Sequence, residues 1–95
     1  MEIDKKLSDF IERIKYQTKR KSELYDGFNR ATGFDKDLNS LVVALAEEIG
    51  EVASSITRDR FEAAKAECID VAHCAFLLYS RLIEESKKQS EENSK

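Results

Sequence analysis

Ninety-five residues make at most one small domain, and a chain this short buries only about two-thirds of its unfolded surface, so self-association is one common way to gain stability. The net charge of −3, from 16 Lys and Arg against 19 Asp and Glu, leaves no basic footprint for a nucleic-acid polymer. With no proline and only three glycines, Gly27, Gly33 and Gly50, the chain lacks the turn residues of a sheet-rich fold and reads as all-α.

The opening MEIDKKLSDF has no apolar core of the kind a signal peptide carries. Apolar Ile3, Leu7, Phe10, Ile11 and Ile14, with Leu24 further on, recur at helical spacing and predict a first helix from about Ile3 to Tyr25, apolar on one face. Lys15, Lys19, Arg20 and Lys21 on the same helix read mainly as a solvated face. GFNRATG, from Gly27 to Gly33, is the clearest break, and Phe28 and Phe34 flank it as candidates to stack a base or to plug the end of a bundle.

Asp, Asn and Ser between Asp35 and Asn39 offer N-caps for a second helix that ends near Thr57. Its main stripe is Leu38, Leu41, Val42, Leu45, Ile49, Val52 and Ile56, while Val43, Ala44 and Ala46 make the other faces apolar near its start. A helix apolar all round is usually buried all round, which three helices in 95 residues can hardly achieve alone, so a partner chain is expected. Asp59-Arg60-Phe61-Glu62 has the spacing of a capping box and opens a third helix to about Glu85. Its first stripe is Phe61, Ala64, Cys68, Val71, Ala72, Ala75, Tyr79 and Leu82, and Cys74, Leu77 and Leu78 form a second. Residues 1–85 then form one helical domain, and 86–95, polar and low in complexity, a disordered tail.

Cys68 and Cys74 stand six residues apart on one helix, too far to bridge each other, which suggests a reducing compartment. No stretch approaches the roughly 20 apolar residues of a membrane span. A cytoplasmic protein without membrane contact is the expectation.

The stretch LAEEIGEVA sets Glu47, Glu48 and Glu51 among apolar residues, with no Lys or Arg between Lys36 and Arg58 to pair them. At about 100° per residue, Glu48 and Glu51 lie one turn apart on one face, and Glu67 and Asp70 repeat that spacing on the third helix. A short link makes these two helices an antiparallel hairpin, so the two pairs can meet across the seam. Four carboxylates there repel unless compensated, and Mg²⁺ or Mn²⁺ is the hard cation that oxygen ligands suit. Gly50, between Glu48 and Glu51, costs about 1 kcal/mol of helix propensity and leaves room for a close neighbour. Ordinary surface glutamates are the alternative reading, since acid pairs at this spacing are common in so acidic a chain.

Glu47-Glu48-x-x-Glu51, a linker, then Glu67-x-x-Asp70 resembles the signature of the MazG-like nucleotide pyrophosphohydrolases, all-α NTP pyrophosphatases related to the dimeric dUTPases. LVVALAEEIGEVA resembles the family's apolar run into an acidic segment, ECIDVAHCAFLLYSRL its following E-x-x-D-V helix, and Asn39 an Asn that often precedes the run; the likeness covers about residues 35–83. The resemblance implies Mg²⁺, with Mn²⁺ as a substitute, held by Glu48, Glu51, Glu67 and Asp70. It implies hydrolysis of a nucleoside triphosphate to monophosphate and pyrophosphate. It also implies a homodimer or dimer of dimers whose four-helix-bundle active sites are completed between subunits. Glu47 or Glu51 is the expected acceptor of the water's proton. Asn39, Lys65 and Arg81 are weaker candidates for substrate contact. The chain departs from the family in lacking a Trp and in reading FDKDLNS where many members carry His-x-Pro-Lys-Asn. A non-catalytic metal-binding helical oligomer is therefore the second reading. A di-metal carboxylate bundle is the third, prompted by Asp70-x-x-His73, although a packed histidine is the simpler role for His73.

Overall fold

A computed structural model describes residues 2–24 and 37–93. Among them are three helices and no strand: α1 (Glu2–Leu24), α2 (Leu38–Thr57) and α3 (Phe61–Asn93). The all-α class and the order of the three helices follow the sequence reading. The Gly27–Gly33 break, with Phe28 and Phe34, lies outside the described residues.

The start of α2 follows from its cap. Asp37 stands in extended backbone, with φ −76° and ψ 166°, and its Oδ1 accepts the Ser40 N–H at 2.7 Å. That satisfies one of the first-turn donors that a helix leaves unpaired. The helix ends in a Schellman turn. Asp59 N–H donates to Ile56 O at 3.1 Å, Arg60 N–H donates to Ser55 O at 2.8 Å, and Asp59 takes the left-handed φ of 57°. Asp is among the few residues other than glycine that visit this region readily. The expected capping box is therefore corrected: Asp59 closes α2 rather than capping α3, which begins at Phe61 with Ala64 N–H donating to Arg60 O. Glu62 accepts from Lys65 instead of turning back to a cap.

This three-residue turn folds α2 and α3 into an antiparallel hairpin, and α1 packs chiefly on α3. Among the described residues the buried apolar ones are Leu41, Ala64 and Leu77, joined by Ser55 and His73. On α3 each apolar set supplies one core residue, Ala64 from the first and Leu77 from the second. Most of the first stays in solvent: Phe61, Cys68, Ala75, Tyr79 and Leu82 are all exposed. The α2 stripe divides in the same way, with Leu41 buried and Val42, Ile49 and Ile56 exposed. On α1, Ile3, Leu7, Phe10 and Ile11 are exposed, and Ile14, Gln17, Thr18 and Lys21 are the half-buried face.

Helix α3 runs past the expected end near Glu85 to Asn93. Glu, Lys, Gln and Ser fill these turns without a helix-breaking Gly or Pro, and Lys87–Glu84 and Lys88–Glu85 pair one turn apart. No described helix is long and apolar enough to cross a membrane.

Candidate metal and phosphate site

Glu48 occupies the α2 stripe that faces α3, at helical spacing from buried Leu41 and Ser55. It is half-buried, and its Oε2 is sealed from solvent with no hydrogen-bond partner among the described residues. Burial is the main cause that holds the Glu48 carboxyl above its ordinary range. The charges of Glu51 and Asp70 act in the same sense, as does a proton shared with Glu51, and Lys21 opposes them. Glu48, Glu51 and Asp70 thus form one electrostatic neighbourhood across the seam, with Lys21 of α1 as its nearby cation.

The two α3 acids are each held by a neutral donor. Ser55 Oγ donates to Glu67 Oε1, and Gln17 Nε2 donates to Asp70 Oδ1 at 2.8 Å. Both acids are half-buried, while Glu51 and Glu47 are exposed. Among the described residues no group of three or more His, Cys, Asp or Glu side chains is gathered closely enough to hold a metal ion. The donor chemistry nevertheless fits a hard divalent cation. The set is all oxygen, and one buried carboxylate oxygen has no partner.

His73 is the most deeply buried side chain, at 1% exposure. It packs between α1 and α3 with its Nδ1 2.8 Å from Thr18 Oγ1. The packed role expected for it is the one it occupies. Burial, and secondarily Lys21, lower its pKa to about 4, while Asp70 acts in the other direction.

The weaker candidates for substrate contact stand on α2 and α3. Lys65 is exposed and paired with Glu62, Arg81 pairs with Glu85, and Asn39 is exposed in the first turn of α2. Beside Asp70, α1 and α3 instead frame an open groove of about 650 Å³ whose lining includes Arg13, Tyr16, Gln17, Arg20, Ile69 and Asp70. Sequence reasoning does not select Gln17, Thr18 or Ser55, because each is an ordinary polar residue without a motif. Their signal is positional: each continues an apolar stripe at helical spacing. Gly50 shows no close neighbour, with nothing within 4 Å of where its Cβ would stand, so the room it leaves is not filled by the described chain.

No family model, curated protein or solved structure matches the chain.

Proposed function

We propose that the protein is a MazG-like, Mg²⁺-dependent nucleoside triphosphate pyrophosphohydrolase that works as a homo-oligomer in the cytoplasm, with Mn²⁺ as a substitute ion. The observation that carries this reading is the orphaned Glu48 Oε2, buried within the influence of Glu51 and Asp70. A buried acid with a bare oxygen and two acidic neighbours is costly to a fold and useful to a cation site.

Glu48, Glu51, Glu67 and Asp70 would hold the ion. When bound, it neutralises triphosphate charge, orients the phosphoryl group and lowers the pKa of a coordinated water. The chain's own residues do the rest. Ser55 donates to Glu67 from the facing helix. Glu47 or Glu51, on the exposed edge of α2, takes the water's proton. Arg20 at the α1–α3 groove suits phosphate oxygens, while Arg13 there is paired with Asp9 and Glu12 also lines the groove; the ring of Tyr16, 70% exposed, suits a base. Exposed Leu7, Ile11, Val43, Ile49 and Phe76 supply apolar surface for a second copy. Packing there completes four-helix bundles between subunits.

A non-catalytic, metal-binding helical oligomer is the second reading, favoured by the lack of a gathered ligand group among the described residues. Pyrophosphate release from a panel of NTPs and dNTPs with Mg²⁺ separates the two. Turnover that disappears in Glu48→Gln and in Asp70→Asn supports the enzyme. A folded oligomer that turns over no nucleotide sinks it. Iron that copurifies with an oxo-bridge absorption band favours a di-metal carboxylate bundle instead.

A further inference from the structure

Asp70 differs from the other seam acids in the origin of its hydrogen bond. Glu67 is held from α2, whereas Asp70 is held from α1, by Gln17 Nε2 at 2.8 Å across 53 residues of sequence. Gln17 and Asp70 are both half-buried, so the bond is partly shielded from competing water. An amide donates without cancelling charge. It occupies a lone pair of Oδ1, fixes the plane of the carboxylate, and leaves Oδ2 and the full negative charge to another partner. A lysine or arginine at position 17 would neutralise Asp70 and compete with a cation. Lys21, one turn further on, acts on Glu48 and His73, and Arg13 and Arg20 share the groove that Gln17 and Asp70 line.

We propose that Gln17 is a positioning residue that occupies Asp70 Oδ1 and so leaves Oδ2 to a divalent cation. This rests on the reading of the seam as a metal site. Ligating carboxylates are commonly oriented by a hydrogen bond of this kind, and loss of such a partner typically weakens metal binding about 10–100-fold.

The test is Mn²⁺ affinity of the full chain without nucleotide, measured by the paramagnetic resonance signal of the free ion. Gln17→Met keeps the length and removes the donor, and is expected to weaken Mn²⁺ by about 10-fold or more with helix content unchanged. Gln17→Asn, which keeps the amide but withdraws it, should give a similar loss, and serves if the Met variant fails to fold. Thr18→Val breaks the neighbouring α1–α3 hydrogen bond to His73 without touching Asp70, so it loosens α1 but should leave Mn²⁺ affinity within about threefold, well below that range. Unchanged affinity in both Gln17 variants overturns the proposal, and so does an equal loss in Thr18→Val. If the unaltered protein takes up no Mn²⁺, the metal-site reading itself falls and Gln17 has nothing to position.

Discussion

The chain has a single histidine, so its imidazole can be followed without ambiguity. Thr18 donates its hydroxyl hydrogen to Ile14 O at 3.0 Å, so toward His73 the hydroxyl accepts and Nδ1 carries the hydrogen. Nε2 is then a bare acceptor, buried and without a partner among the described residues. A second proton there would put a charged donor where no acceptor waits, with Lys21 near enough to disfavour it. The folded pKa of about 4 lies below the ordinary 6.5, so between these values the unfolded chain binds more protons than the folded one. The contribution of neutral His73 is therefore full above pH 6.5 and is lost as pH falls toward and through about 4. At about 1.36 kcal/mol per pH unit, that interval amounts to roughly 3 kcal/mol, a large part of the ~5–15 kcal/mol that holds a small domain together. Two assays read it. The imidazole carbon-bound protons should titrate near pH 4 in the folded protein. Urea unfolding of the unaltered protein against His73→Leu should show the stability gap shifting in the variant's favour by roughly 3 kcal/mol from neutral pH to about pH 4. A midpoint near the ordinary 6.5, or a gap flat across that range, would refute the buried neutral imidazole.

Glu48→Gln should stabilise the metal-free protein, because it removes a charge that burial, Glu51 and Asp70 all disfavour. A gain of about 1 kcal/mol is expected, read as a thermal midpoint higher by about 4–8 °C. Because the Glu48 pKa is raised, its favourable contribution exists below the ordinary 4.5 and is lost as pH rises through the folded value, so the gain should appear at neutral pH and vanish in acid. A less stable variant at neutral pH would mean that Glu48 is compensated in the folded chain. Asp37→Ala should lower the thermal midpoint by removing the acceptor for Ser40 N–H at the start of α2. That same hydrogen bond lowers the Asp37 pKa, so its contribution is present above 3.8 and lost as pH falls through the lowered value. Equal midpoints for the two proteins at neutral pH would contradict the cap.

The helices were legible because their signals are local: Asp37 before an apolar run, helical spacing in all three segments, and no proline to interrupt them. The faces were harder to read, because apolar residues alone do not mark the buried side of a helix that also carries a polar site. On α2 the inward positions include Leu38, Leu41, Leu45, Glu48, Val52 and Ser55, a regular 3–4 spacing in which two members are polar. A stripe chosen by hydrophobicity replaces Glu48 with Ile49 and Ser55 with Ile56, and both isoleucines are exposed. On α1 the series Ile3, Leu7, Phe10 and Ile14 continues in register to Gln17 and Lys21, and its polar end faces the site. Asp59 misleads for a related reason, since an acid two residues before a helix resembles a cap while its backbone is closing the preceding helix. In a chain with a core this small, a polar residue that keeps an apolar register is the informative one. A buried polar group is costly, so its place on the inward face calls for a partner. Ser55, Gln17 and Thr18 find theirs in Glu67, Asp70 and His73. Glu48 Oε2 and His73 Nε2 find none among the described residues. The imidazole avoids the cost by staying neutral. The Glu48 carboxyl lessens it by holding its proton to higher pH than usual, against the opposing charge of Lys21.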